Sequence, residues 1–410
     1  MTTTTVSDLL ISRERRMKER LPLDIDLGED GRKIKVRHGK PFDFICTEAD
    51  VQEYNGRFIE ILEKVRRDVT KLGKNVNRPL LNGEKHLEEL RQAGVEAYAL
   101  LPKGLGERIQ EQEQAENKRG ISLDFTFPVP MAFLWEMIYT GDTQEALDFE
   151  KFWGFRYPIG HLDPNSSFNL KRLVKLQRGI LATAHNQLLY SQEELEQLEQ
   201  KMRELRERLR LAVDVHRLEK VIPSEMGNCK ELIKFFTDKT FDYGVVHFAC
   251  HCANPDAQGV SRAYLSFTAH QEVEMTLGLF SSEARFNRGF LSRPLIFMNA
   301  CESGTPLRLQ SLNFPSVLIN FGASGVIATA CTMPDNFASA FATKFYSQLF
   351  DKYLANPSKG DTLREATNTS YTGEALWETN RYFWQTYQNP LGLAYGLYAE
   401  SNQELEVTDS

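Results

Sequence analysis

Two apolar runs about fifty residues apart end in reactive side chains, and they limit what this chain can fold into. One is Phe241-Asp-Tyr-Gly-Val-Val-His-Phe-Ala-Cys-His251-Cys, the other Pro294-Leu-Ile-Phe-Met-Asn-Ala-Cys301-Glu-Ser-Gly. Short, partly β-branched runs between helical segments read as buried strands of a parallel sheet. Chemistry in such sheets sits beyond the carboxyl ends of the strands. If these strands are parallel neighbours, an imidazole and a thiol meet on one edge.

The rest of the chain supplies a frame for that pair. Thr47 and Asp50 form a capping box ahead of Val51, Tyr54, Phe58, Ile61, Leu62, Val65, Val69 and Leu72 at helical spacing, and Gly73 supplies the stop. Strands are expected near 121–127, 179–184, 263–267 and 325–330, and a second helix near 84–101. Ser191 with Glu194 reads as another capping box, before Leu195, Leu198, Met202, Leu205 and Leu209. That spacing predicts an amphipathic helix packed on the sheet, or else a dimer seam. Asp335 opens a helix carrying Phe337, Phe341, Phe345 and Leu349. A short helix is expected at 7–19, a helix cap at Asp361, and a mobile loop over 270–290. Repeated alternation of strand and helix predicts a doubly wound α/β sheet. The expected division is an N-terminal extension over 1–40, a small α/β half over 41–165, and a second half over 166–410.

Charge excludes some function classes. With 49 basic against 56 acidic residues the net charge is −7, which gives no reason to expect a nucleic acid or an anionic membrane as partner. Ser316 to Met333 is 18 residues without a charge, but Asn320, Gly322, Ser324 and Gly325 break it into helix end, turn and strand. The apolar stretch near the start meets Arg13-Glu-Arg-Arg at once, too short and wrongly flanked for a signal peptide. Six cysteines without regular spacing fit a reducing compartment, so the expected location is cytoplasmic.

Cysteine attacks as thiolate, from a free pKa of about 8.5, so it needs an imidazole nearby. Backbone N–H groups where the strand gives way to Glu302-Ser303-Gly304 could face an oxyanion. The plainer reading of Cys301 is a buried small hydrophobe. His247 is a rival base, but its place inside the strand reads as a core-facing, hydrogen-bonded histidine. Cys250-His251-Cys252 with Cys301 invites a zinc reading. Alternation opposes it, because neighbouring strand residues point to opposite faces. No metal and no cofactor are expected.

From about residue 85 to 400 the chain resembles the CHAT domains of the caspase–separase superfamily. His-Phe-Ala-Cys-His251 resembles the family's His-bearing strand, and Asn-Ala-Cys301-Glu-Ser-Gly its nucleophile motif. Gly322-Ala-Ser-Gly-Val-Ile-Ala-Thr-Ala and Asn389-Pro-Leu-Gly-Leu-Ala-Tyr-Gly-Leu-Tyr are similar to its later glycine turn and closing strand, and Leu134-Trp-Glu-Met-Ile-Tyr is a looser match. The resemblance implies a caspase-like sheet, mostly parallel with helices on both faces, preceded by a smaller pseudo-caspase-like α/β half. It implies a cysteine endopeptidase with Cys301 as nucleophile and His251 as general base and acid. The backbone N–H groups of Cys252 and Cys301 would form the oxyanion hole. Cys252 stands where the family has glycine, so a positive φ there would carry strain.

For substrate selection, metacaspases carry an acid two residues before the nucleophile, where this chain has Asn299. Separases carry acids after a later strand, the region of Asp335, which also reads as a helix N-cap. The implied partners are a protein substrate and a regulatory protein, as in relatives used in bacterial immune signalling. The alternative is a non-catalytic interaction module with helix 191–209 as its docking surface.

Overall fold

Capping at Thr47 sets the first long helix. Thr47 Oγ1 accepts from the Asp50 N–H, and the Asp50 carboxylate accepts from the Thr47 N–H, a complete capping box. Behind it α1 (Glu48–Lys71) buries Val51, Phe58, Ile61, Leu62, Val65 and Val69, and Gly73 follows at a φ of +55°. The other long helices are α2 (Gly83–Ala99), α3 (Ser191–Leu209), α4 (Asp335–Ala355) and α5 (Thr372–Tyr387). This computed structural model describes residues 21–27, 33–38, 42–44, 46–115, 121–127, 132–164, 173–210, 212–222, 229–253, 264–268, 272–286, 289–300, 310–355 and 370–407. The expected helix at 7–19, the cap at Asp361 and Cys301 itself lie outside the described residues.

The strands in chain order are β1 (Leu21–Leu27), β2 (Lys33–His38), β3 (Phe42–Phe44), β4 (Ser122–Thr126), β5 (Ile159–Leu162), β6 (Leu173–Leu176), β7 (Gly179–Ala184) and β8 (Asp214–Arg217). They continue with β9 (Val245–Ala253), β10 (Tyr264–Thr268), β11 (Glu272–Thr276), β12 (Leu295–Ala300), β13 (Gly325–Thr329), β14 (Ser370–Tyr371), β15 (Tyr395–Tyr398) and β16 (Glu404–Val407). Among the described residues thirteen strands join one sheet, in the order β11-β10-β9-β12-β13-β15-β5-β4-β2-β1-β3, with β7 and then β8 also pairing from β9. A separate ribbon pairs β14, β16 and β6.

The fold is mixed α/β with a largely parallel centre, and strand polarity divides that centre. Strands β8, β7, β9, β12 and β13 run parallel to one another. Strands β15, β5, β4 and β2 form a second parallel block. The two blocks meet at an antiparallel seam, Val326↔Tyr398 through Thr329↔Tyr395. Their carboxyl edges therefore face opposite ends of the sheet.

Two apolar clusters cover the two faces. One holds the buried sides of α1, α2, α3 and α4; the other holds Phe236, Phe241, Phe290 and Phe321 with the helices Leu277–Arg285 and Gln310–Asn320.

Three expectations are corrected. Ser191 and Glu194 do not cap α3: its N-cap is Tyr190 with no side-chain bond, and the Ser191 hydroxyl donates to the carbonyls of His185 and Leu188. Both side chains are buried, so their polar atoms are drawn to partners inside the protein. Of the two readings of the leucine stripe, the amphipathic helix packed on the sheet stands and the dimer seam does not, because Leu195, Leu198, Met202 and Leu205 are buried in the core of the chain itself. Residues 272–286 are ordered as β11 and the helix Leu277–Arg285, whose N-cap Thr276 accepts from the Leu279 N–H. The alternation in Glu272-Val-Glu-Met-Thr was the signal for that strand.

Candidate active site

The two runs are parallel neighbours. Strands β9 and β12 pair from Leu295↔Val245 to Ala300↔Cys250. Along both, odd-numbered residues such as Ala249 and Phe297 pack into one cluster, and even-numbered residues such as Phe248, Cys250 and Met298 into the other. By that alternation His247 and His251 share the face covered by α3 and α4. His247 is fully buried: its ring stacks on Phe297 at 5.4 Å, and its Nδ1 lies 3.1 Å from the Tyr346 hydroxyl. His251 is partly exposed.

What surrounds His251 follows from the length of β9. Pairing with β7 ends at Ala184↔Ala249, and the last residues of β9 pair instead with β10, Ser266↔His251 and Leu265↔Cys252. His185, one residue past β7, donates its N–H to the Ala249 carbonyl at 2.8 Å. Its ring meets the His251 ring at 4.5 Å, tilted by 69°. From α4, the Asp335 carboxylate accepts the Tyr190 N–H at 2.9 Å. Burial pushes Asp335 above the usual carboxylate range, while the Tyr190 N–H and His251 pull it back. Asp335 thus lies within electrostatic reach of His251.

Asn299 sits deeper. It is 1 % exposed, its Nδ2 donates to Glu194 Oε1 (2.6 Å) and the Ala338 carbonyl (2.9 Å), and its Oδ1 accepts from the Tyr395 hydroxyl (2.8 Å). Glu194 Oε1 also lies 2.9 Å from His247 Nε2, near enough to pair but not aligned as a hydrogen bond. Tyr346, on the other side of His247, is pushed far up by burial and by the Glu194 charge, so its phenol stays neutral. These five side chains tie α3, α4, β9, β12 and β15 together beneath the edge.

The described cysteines differ in environment. Cys250 is buried on the opposite face from His251, and burial raises its thiol well above the usual range. Burial does the same to Cys331, and takes Cys46 up to about 12. Cys252 has extended backbone: the described non-glycine residues with positive φ are Arg210, Arg293 and Gln388. A side chain in place of glycine therefore costs no strain there. Among the described residues no group of His, Cys, Asp or Glu could hold a metal ion, and no helix is long and apolar enough to cross a membrane.

The structure thus brings His251, Cys252 and Asp335 to one carboxyl edge and places Asn299 below it. Sequence reasoning missed His185 and Glu194. His185 ends a strand-like run, Gly179-Ile-Leu-Ala-Thr-Ala, in an imidazole, the same signal that singled out His251.

A comparison with curated proteins finds no match. The fold is similar to the crystal structure of the Arg-specific cysteine proteinase gingipain R, at 10 % identity and a TM-score of 0.44, covering 92 % of this chain and 79 % of that one. It is similar to a complex of the Porphyromonas gingivalis RgpB pro- and mature domains, at 7 % identity and a TM-score of 0.39, covering 86 % and 77 %. It is also similar to the Saccharomyces cerevisiae separase–securin complex, at 12 % identity and a TM-score of 0.38, covering 88 % of this chain and 24 % of that one. Among family descriptions, the CHAT domain matches residues 162–392, which takes in β7, β9, β12, β13 and the whole neighbourhood of His251 but not Leu134–Tyr139. Spanning more than half of its length with these strands in place, the chain belongs to the CHAT domain family.

Proposed function

We propose that the chain is a cysteine endopeptidase that cuts a protein partner through a dyad of Cys301 and His251. The observation that carries this reading is the register: it runs to Ala300 opposite Cys250, and the next residues in the chain are Cys301 and His251. Adjacent strands lie about 4.8 Å apart. His251 is partly exposed at a carboxyl edge, where substrate can reach it.

Cys301 gives its proton to His251, and the thiolate attacks the scissile carbonyl carbon. The carbon–nitrogen bond breaks as His251 returns the proton to the leaving amine, leaving a thioester. Water then attacks the thioester, its proton passes to His251 and on to the departing thiolate, and the carboxyl product is released. We assign the N–H groups of Cys252 and Cys301 to the oxyanion. Asp335 is the acid we assign to a basic substrate side chain; the Asn299 amide is already committed to Glu194, Ala338 and Tyr395. The proposed setting, on the family resemblance, is bacterial defence in the cytoplasm, with a second protein gating the edge.

Comparing protein N-termini from cells expressing the wild type or Cys301→Ala tests this. The variant is expected to lose every cleavage product, with kcat/KM on an identified substrate falling about 10³-fold or more. Products that persist unchanged overturn the reading.

A further inference from the structure

His185 takes no part in the dyad, yet it is built into the site from three sides. Its backbone is bonded to Ala249, two residues before His251. Its ring lies against His251 at 4.5 Å and 69°, within the range of favourable edge-to-face contact. Both of its nitrogens are engaged: Nδ1 faces the Gln187 N–H at 3.3 Å, and Nε2 lies 3.3 Å from Ser266 Oγ. A backbone N–H can only donate, so Nδ1 is the acceptor and the ring proton sits on Nε2, donated to Ser266. A second proton on Nδ1 would point at the Gln187 N–H. His185 and Ser266 are 1 % and 2 % exposed, so that clash of donors would be buried. Ser266 in turn is the register partner of His251 on β10.

We infer that His185 is a positioning residue for His251, held as the neutral Nε2–H tautomer. In that state it fixes the plane of the His251 ring and leaves His251 as the member of the pair that takes charge. Two charged rings at this distance would repel, so a neutral His185 leaves the edge-to-face contact intact when His251 takes a proton. This deepens the endopeptidase reading and rests on it.

The test uses the full chain and a chloromethyl ketone as thiol probe, following the rate of Cys301 labelling at saturation separately from the half-saturating concentration. His185→Phe keeps a ring but no nitrogens. It is expected to slow saturated labelling about 10- to 100-fold and leave half-saturation within about twofold. Ser266→Ala is expected to slow it less, with Ser266→Thr restoring it. Nitrogen-15 spectra of histidine-labelled protein at neutral pH supply a second readout, with the Nε2–H tautomer expected for His185 and displaced His251 signals in His185→Phe. Labelling that needs His251 but is unchanged in His185→Phe overturns this inference and spares the dyad. A wild type that is not labelled counts against both. A His185 ring in the Nδ1–H or doubly protonated form, or unmoved His251 signals, overturns the positioning role whatever the labelling shows.

Discussion

The two parallel blocks of the sheet each bury one carboxylate against one imidazole, and they use the couple differently. In the second block Glu136, on the 3-10 turn Trp135–Met137, bonds His161 of β5 at 2.7 Å, with the Tyr398 ring 5.1 Å from the imidazole. Among the described residues that hydrogen bond joins a turn to a strand. In the first block Glu194 takes the Asn299 amide and lies beside His247, which is met by Tyr346, so one carboxylate links two helices and two strands. The carboxyl edges differ in step. At the second block Phe127, Asp163, Ser316 and Tyr398 close around a hollow of only about 20 Å³, and Ser316 bonds Asp163. At the first block the edge ends in a partly exposed His251. Topology offers two carboxyl edges, and packing nearly fills one of them.

The comparison can be broken most directly at Glu194. Glu194→Ala strands the Asn299 amide and the His247 ring in a dry interior, and is expected to lower unfolding free energy by about 3–5 kcal/mol in urea titration. A loss below about 1 kcal/mol would show that Glu194 is not a junction. Glu136→Ala is expected to cost less, about 2–3 kcal/mol in the same assay, since one hydrogen-bonded partner is left behind. Double-mutant cycles sharpen the contrast in the other direction. The aligned Glu136–His161 pair is expected to couple by about 1–3 kcal/mol, and the misaligned Glu194–His247 pair by about 0.5–1 kcal/mol; the reverse order would dissolve the distinction. Among the single substitutions the smallest effect belongs to Tyr395→Phe, which removes one donor from Asn299 and is expected to cost about 1 kcal/mol.

Strands and helices were legible wherever local chemistry decided them. The Thr47–Asp50 box, the run Gly179–Ala184 and the phenylalanine stripe of α4 all act through residues close in sequence. Of the candidate site, the place of His251 at the strand end was legible because a polar end on an apolar strand has few places to go. Glu194 was misread. It stands four residues before Leu198 and eight before Met202, which puts it on the buried stripe of α3, but a glutamate three after a serine also looks like a cap. Choosing between those readings needed Asn299 and His247, which lie about a hundred and about fifty residues away. Nothing local announces such partners. His185 was hidden for the same reason, since its neighbours come from β9 and β10.

The strand that closes the seam is made late. Residues 395–398 lie between β13 and β5, so the sheet cannot become continuous until the ribosome has passed them. Before then each block can pair only within itself, and two unpaired strand edges wait for one partner. The Tyr395 hydroxyl that steadies Asn299 arrives in the same event. Order of synthesis therefore sets order of assembly: the floor beneath the edge is completed after nearly everything above it, and a nascent chain released short of that strand would hold two half-sheets with mispairing edges.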